Sequence, residues 1–217
     1  RIVLILNLQP ERKLMEFKND THVYTREGEE VGSLHRVVID PLTKEVTHIV
    51  IQKGIFFTSD KVISVQKVEL ATEERIDLNC TKDELKEMSP LEIEQNTVTD
   101  QVIDEIPDFN PLAAGLYPNP ISDPYKNMEV KRTISEDLVA LKEGARVISR
   151  DDEHVGNIER IFIDPETDLV THFIVSQGVL VKNRKSILAQ WVRLMDEDEV
   201  QLVMDAHQYQ EIPDYEE

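Results

Sequence analysis

Residues 39–50 read IDPLTKEVTHIV and residues 163–174 read IDPETDLVTHFI, one phrase written twice at an offset of 124. Self-similarity at a fixed spacing constrains a fold more than any local propensity does. The register runs without a gap through Val23/Val147, Arg26/Arg150, Val31-Gly32/Val155-Gly156, Gly54/Gly178, Gln66/Gln190, Val68/Val192 and Leu70/Leu194. Residues 22–78 therefore align with residues 146–202, and the chain reads as two copies of one unit.

The repeated phrase predicts a β-hairpin. LHRVVI and IERIFI lead into Asp-Pro, and VTHIVIQ and VTHFIVS follow a polar loop. Both flanks are β-branched and aliphatic, the composition of strands. Asp40-Pro41 and Asp164-Pro165 start the turns, because Pro fixes φ and the Asp carboxylate accepts from backbone ahead of it. Gly32 and Gly156 stand at the strand mouths, where a bulge or tight bend needs no side chain. KVISVQKVEL, SILAQWVRL, ERIDL and DEVQL add strands, so each copy predicts a small barrel or rolled sheet. Each copy then starts a helix. Thr81 to Glu84 and Asp205 to Gln208 have the spacing of capping boxes. Leu85 and Met88, matched by Tyr209 and Ile212, form an apolar stripe fit to cover a barrel mouth.

The organisation expected is an N-terminal extension at 1–15, a first repeat at 16–90, an insertion and linker at 91–140, and a second repeat at 141–217. The chain begins with Arg1, and Met15 is read as a plausible true start. EIPDF at 105–109 echoes EIPDY at 211–215 with an offset of 106, which puts an 18-residue insertion in the first copy. The stretch NPLAAGLYPNPISDPY is rich in Pro and small residues, as a linker is.

The net charge is −19, carried mostly by residues 79–145 and the tail 203–217, while the two copies hold only −3 and −4. Acidity of this kind argues against a nucleic-acid backbone as partner. One cysteine, Cys80, excludes an internal disulfide and fits a reducing, cytoplasmic location. No apolar run approaches the roughly 18 residues of a spanning helix, so no membrane span is expected.

The V-G-x-(I/L) strand, the Asp-Pro-x-Thr turn, the V-T-H-φ-(V/I)-(V/I) strand and the Q-W-V segment together resemble the PRC-barrel domain. That resemblance covers about 22–90 and 146–217 and implies two small PRC-type β-barrels, each closed by a short C-terminal helix and joined by a Pro-rich linker. It implies binding to partner macromolecules and brings no catalytic residue. Members of the family include the cytoplasmic part of the photosynthetic reaction-centre H subunit and half of a ribosome maturation factor. Without an anchor or a basic patch, this chain is expected to be a soluble adaptor or scaffold for a protein partner. An RNA-processing or ribosome-associated factor and an accessory subunit of a reaction-centre complex are the alternatives.

Gly32, Asp40, Pro41, Gly54, Gly156, Asp164, Pro165 and Gly178 are the positions expected to define the fold. His48 and His172 match one another, and each reads as a strand histidine rather than a metal ligand. The clusters DDEH at 151–154 and DEDE at 196–199 lack the Asp-x-Asp-x-Asp-Gly spacing of a calcium loop. Trp191 stands where the first copy has Lys67, as extra core or as an exposed anchor. Arg36 and Arg160 are matched cations in apolar strands, candidates for an ion pair between copies. His48, His172, Arg36, Arg160 and Trp191 are thus the candidate interface residues. No catalytic motif, phosphate loop or metal motif is found, so no enzyme, cofactor or metal is expected.

A domain near 60 residues buries only about 60% of its unfolded surface and is marginal alone. Val46 and Val50 alternate with Ile49 and Ile51, and Val170 and Ile174 with Phe173 and Val175, so both faces of these strands are apolar. One face fills the barrel. The other predicts either pairing of the two barrels within the chain or a homodimer.

Overall fold

The computed structural model describes residues 13–52, 59–88, 134–135, 137–142, 144–178 and 183–216. Two clusters of apolar, β-branched sequence give two sets of strands in the same order. In the first copy these are β1 (Met15–Lys18), β2 (His22–Tyr24), β3 (Glu30–Ile39), β4 (Val46–Ile51), β5 (Lys61–Ser64), β6 (Val68–Ala71) and β7 (Arg75–Leu78), then α1 (Lys82–Glu87). The second has β8 (Val139–Lys142), β9 (Arg146–Ile148), β10 (His154–Asp164), β11 (Leu169–Gln177), β12 (Asn183–Leu188), β13 (Val192–Met195) and β14 (Glu199–Leu202), then α2 (Ala206–Gln210).

The expected hairpins form. Val37 pairs with Ile49 between β3 and β4, and Ile161 pairs with Phe173 between β10 and β11. All four side chains are buried. In each copy the β2 or β9 strand also runs parallel to the last strand, through Val23 with Ile76 and Val147 with Val200. The sheet orders are β5-β4-β3-β2-β7-β6 and β12-β11-β10-β9-β14-β13.

These are open paths of hydrogen-bonded strands. The end strands β5 and β6, and likewise β12 and β13, are joined by one turn of 3-10 helix, Val65–Lys67 and Ala189–Trp191. The amide after each turn bonds back to the first residue of the turn, so the ladder is interrupted there. The fold described is therefore mainly β with two sheets and two short helices, and no ladder closes either sheet among the described residues. Both capping boxes form. Thr81 Oγ1 accepts from the Glu84 amide and Glu84 returns to the Thr81 amide; Asp205 and Gln208 do the same. Leu85 and Tyr209 are buried in the core. The expected Pro-rich linker, the EIPDF segment and Gly54 lie outside the described residues.

Each sheet has a seventh strand, and it comes from the other copy. β1, the leading strand of the first copy, pairs with β10 of the second through Met15↔Ile163 to Lys18↔Arg160. β8, the leading strand of the second copy, pairs with β3 of the first through Val139↔Ile39 to Lys142↔Arg36. The offset of 124 relates these two ladders residue for residue. Sequence boundaries place β1 with the first repeat and begin the second repeat inside β8; the pairing crosses that division. Phe17 and Leu141 are buried by the exchange, at 1% and 2% exposure. Burying side chains of this size contributes about 1.5–3 kcal/mol each. One apolar core consequently runs through both copies, from Phe17 and Ile49 to Phe173 and Tyr209. A second small cluster, Val38, Val50, Val62 and Ala140, is the outer face of the first hairpin, covered with help from Ile134 and Leu138.

Candidate functional site

Of the residues singled out by the sequence, the Asp-Pro turns and the matched arginines lie where the copies meet. At the hairpin tips, Asp40 Oδ1 accepts from the amides of Leu42 at 2.7 Å and Thr43 at 3.1 Å. Those backbone bonds hold its carboxyl below the usual range. Asp164 Oδ1 accepts from the Glu166 amide at 3.0 Å. Pro41 and Pro165 follow as the first turn residues. Each turn ends on a non-glycine residue in the left-handed region, Lys44 at φ 65° and Asp168 at φ 56°. That conformation costs about 1–2 kcal/mol for an ordinary side chain. Here it accompanies a specific contact: the Lys44 carbonyl accepts from the Val170 amide at 2.9 Å, and the Asp168 carbonyl accepts from the Val46 amide at 2.8 Å. The two copies of the opening phrase are hydrogen-bonded to each other.

The matched arginines form ion pairs across the same boundary. Arg36 Nη1 donates to Glu197 Oε2 at 3.1 Å, and Arg160 Nη2 donates to Glu73 Oε1 at 3.2 Å, so each copy's arginine meets the other copy's β6–β7 or β13–β14 turn. Lys18 and Lys142, on the exchanged strands, reach the same two glutamates at 2.6 and 3.7 Å. The second site has an addition: Arg160 Nη1 also donates to Glu16 Oε1 at 3.1 Å. Glu16 replaces the small Ala140 of the matching position. Arg160 is 3% exposed, and burial pushes the Glu16 carboxyl up while Arg160 partly offsets it. The Lys18 bond holds Glu73 down.

Phe17, Leu34 and Val37 line a cleft of about 20 Å³ together with Leu141, Ile158 and Ile161, their partners at the same offset. That is room for a water molecule and no more. His48 and His172 lie on the hairpin strands, each opposite residue 38 or 162. His48 Nδ1 is buried without a hydrogen-bond partner among the described residues, and burial lowers its pKa. His172 stacks on Phe162 at 4.4 Å and 7°, with Nδ1 2.9 Å from Thr171 Oγ1; burial lowers its pKa too. Trp191 ends the 3-10 turn, half-buried against the core.

The glycines stand where side chains do not fit. A Cβ on Gly32 would lie 2.7 Å from Ile51 Cγ2, and one on Gly156 would lie 2.7 Å from the Ser176 carbonyl oxygen. Gly178 holds φ 98°. Aspartates of the acidic clusters accept from nearby groups. Asp151 accepts from Ser149 Oγ and the Ala206 amide, and Asp196 accepts from the Asp198 and Glu199 amides. Among the described residues, no three His, Cys, Asp or Glu side chains assemble at metal-binding distance.

A matched pair of lysines escaped the sequence reading. Lys61 Nζ donates to the carbonyls of Lys86 and Met88 at the end of α1. Lys185 Nζ donates to those of Gln210 and Ile212 at the end of α2. A cation is favoured at a helix C-terminus, where carbonyls lack partners. Their spacing of 124 was the available signal.

Two mainly β units, exchanging strands and joined through turns and buried charge, define a tandem β-domain protein. The model of the PRC-barrel domain matches residues 19–81 and 143–208, and the chain belongs to that family. No curated protein matches it.

Proposed function

We propose that this chain is a non-enzymatic tandem PRC-barrel protein that acts as a scaffold or adaptor for a protein partner, with each sheet rolled into the family's barrel. Membership of a family that serves generally in protein interaction supports the reading. The observation that carries it is the reciprocal strand exchange, which unites the two copies as one platform. The matched arginines of the junction are engaged in ion pairs with glutamates of the other copy. The net charge of −19 weighs against the RNA-associated alternative. No helix among the described residues is long and apolar enough to cross a membrane.

Affinity purification of the full chain from its native host, with quantitative mass spectrometry, tests the proposal. A protein recovered in near-stoichiometric amount, resistant to nuclease, is the expected outcome. Recovery of RNA with nuclease-sensitive proteins would favour the ribosome-associated role, and pigment-complex subunits would favour the photosynthetic one.

A further inference from the structure

The two exchanged strands occupy equivalent edges and differ sharply at one central position. Glu16 of β1 lies opposite Phe162 of β10, and Ala140 of β8 lies opposite Val38 of β3. Their surroundings differ to match. Ala140 is buried in an apolar cluster with Val38, Val50 and Val62. In the second copy the matching residues are Phe162, Ile174 and Ser186, so a hydroxyl stands where the first copy has Val62. Beside that set Arg160 Nη1 donates to Glu16 Oε1 at 3.1 Å and Nη2 donates to Glu73 Oε1 at 3.2 Å. Arg36, the matching cation, is served by Glu197 at 3.1 Å, and β8 carries no carboxylate to add to it.

Pairing like with like would mismatch both edges. Set against the β3 of another first copy, β1 would carry the Glu16 carboxylate onto Val38, Val50 and Val62. A charge drawn out of water onto an apolar face is costly. Set against the β10 of another second copy, β8 would place the Ala140 methyl beside Arg160, whose Nη1 would lose the Glu16 carboxylate. A buried guanidinium that loses a bonded carboxylate keeps its desolvation cost. The opposite copy meets both conditions. We propose that Glu16 and Ala140 make the exchange edges selective: each copy accepts its opposite, from the same chain or from a second molecule of it, and rejects its like. Two molecules that trade halves then do so first copy to second copy. This inference goes beyond the scaffold reading and does not depend on it.

The full chain, cut at a protease site placed between residues 91 and 133, supplies both copies in equal amount. It is unfolded in urea, refolded by dilution and weighed by native mass spectrometry, which separates first–first, first–second and second–second pairs. First–second pairs are expected to exceed random assortment by about tenfold or more. The transposed chain, Glu16→Ala with Ala140→Glu, keeps composition and charge while exchanging the two residues between the edges. Like pairs then match at both edges, so the preference is expected to invert. The uncut transposed chain is expected to unfold at lower urea than the native one. Glu16→Ala alone removes a carboxylate without adding a buried one, and is expected to raise first–first pairs. Random assortment of the native copies, or a rise in neither like pair on substitution, overturns the proposal. A transposed chain as stable as the native one also overturns it, because Arg36 then compensates a carboxylate at 140 as Arg160 does at 16.

Discussion

The Val170 amide donates to the Lys44 carbonyl at 2.9 Å, joining the start of one copy's second hairpin strand to the last turn residue of the other. The reciprocal bond, Val46 to Asp168, puts an acidic side chain into the same junction. Burial raises the Asp168 pKa, and Glu45 and Asp164 raise it further.

Asp168→Asn is accordingly expected to stabilise the protein at neutral pH. The folded carboxyl titrates above its unfolded value, so the penalty is complete when both states are ionised. It disappears as pH falls through the folded pKa. Relief of like-charge repulsion at neighbouring strands is worth about 0.2–1 kcal/mol, and Asn tolerates the left-handed backbone. Chemical denaturation at pH 7 and at pH 3 checks this: a gain at pH 7 that shrinks in acid is expected, and an equal gain at both values refutes the electrostatic cause.

Arg160 and Arg36 are matched in sequence and unequal in consequence. Arg160→Met leaves Glu16, whose side chain is 17% exposed, without its buried cation. The expected loss is about 3 kcal/mol, the lower end of the range for breaking a buried pair. Arg36→Met leaves Glu197, which is 49% exposed, to Lys142 and water; the loss there is about 1 kcal/mol or less. Urea midpoints of the two variants decide between this asymmetry and simple equivalence.

His48 and His172 both hold pKa values lowered by burial. Above their ordinary value of 6.5 both states are neutral and nothing is lost. As pH drops below it, the unfolded chain binds protons that the folded one resists. Stability should fall between pH 7 and pH 5.5 by at most about 1.4 kcal/mol per pH unit for each histidine. A His48→Phe/His172→Phe variant should flatten that limb of the stability profile; an unchanged slope assigns the pH dependence to other groups.

Strand exchange predicts that cutting the chain between the copies leaves them together. With a protease site placed between residues 91 and 133, cleavage should yield two fragments that co-elute on gel filtration and melt in one transition. Separation into two folded fragments under native conditions is incompatible with the pairing of β1 with β10 and β8 with β3.

Much of this architecture was legible because a duplication lets the sequence check itself. The hairpins, the Asp-Pro turns and both capping boxes depend on local residues, and local residues recur at the same offset. The exchange was not legible. Phe17-Lys18 and Leu141-Lys142 continue the register, but an alternating strand reads the same whichever β3-like strand it joins. The matched arginines were legible as candidates for an ion pair between copies, but their partners were not, since Glu73 and Glu197 are ordinary turn acids until the turns are set against the other copy. Trp191 stood out by its mismatch with Lys67.

Because each copy completes the other with a strand, the pair forms a closed account in which every lender is also a borrower. A third copy appended to either end would find no vacant edge beside β3 or β10 and would leave its own leading strand without a host. Lengthening such a chain by single units is disfavoured by its topology, and the unit of inheritance becomes the pair. Substitutions at the shared edges are then constrained by two contexts at once, so drift in one copy is answerable to the other.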